Sequence, residues 1–68
     1  MKNVYTNNEI NSTIEMLERE RPNFGVPTTV EITQEDAENV LDRVHDYDVS
    51  MYDAVGDVLI GIRECLQG

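Results

Sequence analysis

One pattern is written three times in this chain: an apolar residue, a hydroxyl residue, two further residues, then an acid and another apolar residue. It reads Tyr5-Thr6-Asn7-Asn8-Glu9-Ile10, then Ile32-Thr33-Gln34-Glu35-Asp36-Ala37, then Val49-Ser50-Met51-Tyr52-Asp53-Ala54. Each copy has the chemistry of a helix start. The hydroxyl oxygen accepts a hydrogen bond from an otherwise unpaired backbone N–H, and the acid at the third helical position can reach back to the cap's own N–H. The flanking apolar residues can pack as a staple, and the acid favours the positive end of the helix dipole. Glutamate suits the reciprocal box better than the two aspartates do.

Helical periodicity follows each start, which predicts helices over about 7–21, 34–46 and 51–66. In the first, Ile10, Ile14 and Leu17 share a face, and Pro22 disfavours helical geometry at Arg21 and so ends it. Ala37, Val40, Leu41 and Val44 form the stripe of the second, and Met51, Ala54, Val55, Val58, Ile62 and Cys65 that of the third. Residues 22–29, Pro-Asn-Phe-Gly-Val-Pro-Thr-Thr, form a turn-rich connector. The fold class expected is mainly α: one small three-helix domain spanning residues 1–68. Val30 and Ile32 alternate with polar neighbours, so a short two-stranded β element pairing 3–5 with 28–32 is held as an addition. A chain of 68 residues buries a modest core, which makes partner binding or self-association a fair expectation.

Charge narrows the choice of partner. Between Glu31 and Asp57 stand nine acids (Glu31, Glu35, Asp36, Glu38, Asp42, Asp46, Asp48, Asp53, Asp57) against one base, Arg43, a net of −8 out of −9 for the chain. Such a surface repels nucleic acid and anionic lipid and attracts basic protein surfaces, so no direct nucleic-acid and no membrane partner is expected. No stretch approaches the length of a spanning helix, the opening residues carry no secretory apolar run, and the single Cys65 cannot close an internal disulfide. A cytoplasmic protein is the expectation.

At about 100° per residue, Glu35, Glu38, Asp42 and Asp46 fall on one ridge opposite the core stripe of the second helix. Like charges at i, i+4 cost roughly 0.2–0.5 kcal/mol per pair, so the ridge is either a docking surface for Lys and Arg or a solvated face. Over its roughly 16 Å length duplex DNA carries about ten charges, more than four carboxylates supply. Phosphate imitation would therefore recruit Asp36, Asp48, Asp53 and Asp57 as well. The third helix carries Asp53 and Asp57 opposite its stripe, with Ile60 among them. Tyr52, Gly56, Leu59, Ile60 and Arg63 suggest a second contact face, for a partner or a second copy, or a helix sandwiched between the other two. Two glycines within it, Gly56 and Gly61, each cost about 1 kcal/mol relative to alanine.

The remaining motifs are weaker. His45 has no second His or Cys nearby for zinc. Asp46, Asp48, Ser50 and Asp57 echo calcium-loop positions, but Met51 stands where the sharp turn wants glycine, and Ser50 starts a helix inside the loop. Cys65 is expected on the core side. No phosphate loop and no catalytic constellation is legible, so no enzyme, metal or cofactor is expected.

Asp48-Val49-Ser50-Met51, opening an acidic helix, resembles the Asp-Ser-Leu site of acyl carrier proteins. That resemblance would imply a phosphopantetheine arm on Ser50, although here Val49 separates the aspartate from the serine. In size and charge the chain is similar to phage-encoded DNA mimics, such as anti-restriction or anti-CRISPR inhibitors. The function expected is a non-enzymatic interaction module masking the basic surface of a nucleic-acid-binding protein. Glu35, Glu38, Asp42, Asp46, Asp53 and Asp57 would supply the charge, with Tyr52, Gly56 and Ile60 adjoining. The alternatives are a homodimeric structural or regulatory protein with Tyr52, Gly56 and Ile60 as its seam, and a carrier domain.

Overall fold

Three helices stand where the three start patterns are written. In the computed structural model, which describes residues 4–67 (the side chain of residue 67 excepted), α1 spans Asn7–Glu20, α2 Gln34–Tyr47 and α3 Met51–Gln67. Two of the starts are closed boxes. The Thr6 hydroxyl accepts from the Glu9 N–H at 3.2 Å while a Glu9 carboxylate oxygen accepts from the Thr6 N–H at 3.1 Å. Thr33 and Asp36 repeat the arrangement at 3.3 and 3.0 Å. The third is half made: Ser50 Oγ accepts from the Asp53 N–H at 3.1 Å, but the Asp53 carboxylate takes no bond in return.

Pro22 ends α1 differently from expected. The chain continues from Glu20 into a single 3-10 turn over Arg21–Phe24 that accommodates Pro22 at its start, where no backbone N–H is needed. Gly25 then reverses the chain at φ 75°, a left-handed conformation that a side chain would strain.

The expected β element is not found among the described residues; Asn3, one of its members, lies outside them. Residues 28–30 turn instead, with the Val30 N–H donating to the Pro27 carbonyl at 3.1 Å. The Val30 carbonyl, which a ladder would have used, accepts from Arg21 Nη1 at 3.0 Å. The alternation read as a strand reflects a connector pinned by buried Val26 and Ile32 with half-buried Val30 between them.

The core joins Ile10 and Leu17 of α1, Ala37, Val40 and Leu41 of α2, and Ala54, Val55, Val58 and Leu59 of α3. Leu17, Val40, Val55 and Leu59 are the largest fully buried side chains. Each of these four contributes roughly 1.5–3 kcal/mol of burial, and Ile10, Val26, Ile32, Leu41 and Val58 are nearly as well covered. Three positions depart from the expected stripes: Thr13, Cys65 and Leu59, the last joining the core from the second contact face expected on α3. Thr13 takes a buried place in α1 by donating its hydroxyl to the Glu9 carbonyl at 2.7 Å. Cys65, expected on the core side, is exposed, because the last turn of α3 flanks an open groove instead of the bundle centre.

The linker between α2 and α3 is three residues long, so the two helices form a hairpin. Asp48 occupies its sharpest point in the left-handed region at φ 54°. Asp36 at the start of α2 and Leu66 at the end of α3 therefore line the same groove. No helix of the described residues is long and apolar enough to cross a membrane.

Candidate functional site

The α2 ridge is less free than its helical angles suggest. Asp42 is half-buried and accepts a hydrogen bond from the Tyr5 hydroxyl, which ties the segment before α1 to the middle of α2. Glu38 is half-buried and accepts from Gln34 Nε2 at 3.3 Å. Asp46 is exposed and lies 3.2 Å from His45 Nδ1. Glu35 is exposed in the first turn of α2, on the favourable side of its dipole.

The acids of α3 stand differently. Asp53 and Asp57 are both exposed, one helical turn apart, and neither carboxylate has a hydrogen bond or ion pair among the described residues. They border an open groove of about 440 Å³ between α3 and the 3-10 turn. Its walls are apolar: Phe24, Val49, Tyr52 and Ile60. Gly56 lies at its base, buried beneath the Phe24 ring. A Cβ there would stand 3.0 Å from Phe24 Cζ and 3.2 Å from Cε1, so glycine lets the ring approach the helix. The second face expected on α3 is thus partly filled by the chain itself. Leu59 is fully buried, Gly56 is covered, and Arg63 Nη1 donates to the Phe24 carbonyl at 3.4 Å. Tyr52, 64% exposed, and half-buried Ile60 remain at the surface.

A second groove, of about 370 Å³, runs between α2 and α3. Val58, Gly61, Ile62 and Leu66 give it an apolar side, while Asp36, Asp57 and half-buried Arg43 give it mixed charge. Asp57 borders both grooves. Gly61 differs from Gly56: an added Cβ would meet nothing within 4 Å.

The bases are mostly turned inward. Arg21 and Arg63 hold backbone carbonyls and Arg43 sits in the second groove, so Arg19 is the one exposed arginine among the described residues. Surface charge is therefore more one-sided than the composition implies. Compared with known proteins, the chain matches no family model, no curated protein and no solved structure.

Ser50 is exposed with its hydroxyl engaged as the α3 cap, and His45 is exposed beside Asp46. The calcium-loop positions do not assemble as a loop: α3 begins at Met51 and carries Asp57 along its second turn. Among the described residues no three His, Cys, Asp or Glu side chains converge as a metal-binding group.

Phe24 and Val49 are the site residues that pattern reading missed. The one phenylalanine of the chain lies in a turn-rich connector, where a large apolar side chain needs a surface to cover. The helical glycine at Gly56 was the matching signal.

Proposed function

We propose that the protein is a non-enzymatic interaction module that masks a basic surface of a partner, namely the nucleic-acid site of a nucleic-acid-binding protein. The observation that carries this reading is the disposition of charge. Glu35, Asp46, Asp48, Asp53 and Asp57 are exposed on α2, α3 and their linker, while Arg21, Arg43 and Arg63 are half-buried and Arg19 is the one exposed arginine among the described residues. Opposed charge of this kind speeds encounter and weakens with salt. The same surface disfavours nucleic acid itself as a ligand.

Magnitude limits how the mask works. The longest dimension is 31 Å, over which a DNA duplex carries roughly 18 phosphate charges. The whole chain carries −9. It therefore acts by pairing locally with the lysines and arginines of a basic patch, not by replacing a duplex phosphate for phosphate.

The test is capture from cell lysate at low and high salt, identification of the captured chain, and competition between the protein and nucleic acid for it. The expected partner is a basic nucleic-acid-binding protein that is released by salt and gives up its nucleic acid when bound. Glu35→Lys/Asp53→Lys should abolish both effects. Capture that survives high salt and this charge reversal unchanged would sink the reading.

A further inference from the structure

We infer that the groove between α3 and the 3-10 turn is the seat of a basic peptide segment of the partner protein. That segment places one apolar side chain between Phe24 and Ile60 and sets Lys or Arg against Asp53 and Asp57. The inference rests on the masking function and specifies where and how it is anchored.

Three observations lead to this occupant. The groove is apolar along its walls and about 440 Å³ in volume, within the range of roughly 300–1,000 Å³ typical of sites that enclose a ligand. The charged residues that line it are of one sign, Asp53 and Asp57, while Arg63 beside the Phe24 wall gives its Nη1 to the Phe24 carbonyl. Both carboxylates are unpaired among the described residues, although Asp53 stands where a capping box would have used it. They lie about 6 Å apart along the axis at 1.5 Å per residue, a spacing that two basic side chains flanking one apolar residue can span.

Charge also decides against the other occupants. A second copy would bring another −9 and the same two carboxylates to the seam. The α2–α3 groove is lined by Arg43 as well as by Asp36 and Asp57, so its charge specifies the sign of a partner less sharply. Phosphate-bearing ligands are repelled by Asp53 and Asp57.

The experiment uses the whole chain and two synthetic peptides of equal charge, rich in Lys and Arg, one with a central Leu and the other with Ser at that place. Affinities are measured at low salt by fluorescence anisotropy, and contacts by amide chemical-shift changes. Covering the leucine removes apolar surface from water, so the Leu peptide should bind at least about tenfold more tightly. Its shifts should centre on Tyr52, Gly56 and Ile60. Ile60→Ser should reduce the Leu peptide to the affinity of the Ser peptide, while Asp53→Asn/Asp57→Asn should weaken both.

Equal binding of the two peptides to the wild type overturns the groove and leaves masking by charge standing. Shifts confined to the α2 ridge do the same. Failure of both peptides to bind at low salt removes the masking function together with the groove. Self-association that Ile60→Ser abolishes assigns the groove to a second copy and overturns the proposal. The two-peptide comparison needs only the wild type, so it decides the matter even if a variant is poorly folded.

Discussion

The hydroxyl of Tyr5 donates to Oδ1 of Asp42, across 37 positions of sequence. One carboxylate of the acidic ridge is thereby committed to holding the segment before α1 against α2. A hydrogen bond to a charged group contributes about 1.5–3 kcal/mol when well shielded, and less where both groups are half exposed. Tyr5→Phe and Asp42→Asn should each lower stability by about 1 kcal/mol, with the double variant close to either single one. Urea denaturation of the four proteins measures this coupling. Additive losses would show that the two residues act separately.

The two glycines of α3 should respond to alanine with opposite signs. At Gly61 nothing lies within 4 Å of the added carbon, so the substitution gains helix propensity alone, about 1 kcal/mol. In a domain of this size that raises the melting temperature by about 4–8 °C. At Gly56 the same carbon meets Phe24 Cζ at 3.0 Å. The ring must give way by a few tenths of an ångström while its backbone is held, since the Phe24 carbonyl accepts from Arg63 and Gly25 fixes the turn beyond it. Gly56→Ala should therefore lower the melting temperature, and Phe24→Leu added to it should recover part of the loss. A Gly56→Ala protein more stable than the parent would mean that the ring packing is loose.

These glycines also show what a linear reading can reach. The helix starts were legible because a cap is local: Thr6 and Glu9, or Thr33 and Asp36, meet within one turn. The core stripes were legible for the same reason, through Val40 and Leu41 or Ala54 and Val55. The cover over Gly56 was not, since Phe24 reaches it from a connector whose path depends on Gly25 and on Arg21 holding the Val30 carbonyl. Nor could helical angles reveal that Tyr5 would claim Asp42. Acids could be placed on a face, but whether each was spoken for depended on tertiary contacts.

Stability of the α1 start should depend on pH through Glu9. Its carboxyl is held below the ordinary glutamate range, first by the hydrogen bond from the Thr6 N–H and then by that from the Thr6 hydroxyl. A depressed folded-state value means that the contribution is fully present above the unfolded value and is lost as pH falls through the folded one. Glu9→Gln keeps an acceptor but not the charge. The stability gap between parent and Glu9→Gln should thus be largest near neutrality and shrink as pH drops below about 4. Thermal melts of both proteins across this range test it, and a gap that widens in acid would contradict the assignment.

At the turn between α2 and α3, Asp48 places an acid in the left-handed region at φ 54°. Side chains other than glycine and asparagine are disfavoured there, although aspartate is among the better tolerated. Asp48→Gly relieves that strain and removes one charge from a surface already at −9 for the chain, while adding backbone freedom to the unfolded state. The first two effects should prevail, raising stability by about 0.5–1 kcal/mol. Asp48→Ala removes the same charge but keeps a Cβ at positive φ, so it should fall below Asp48→Gly in urea midpoint. If both substitutions stabilise equally, charge repulsion and not backbone strain is what Asp48 costs the hairpin.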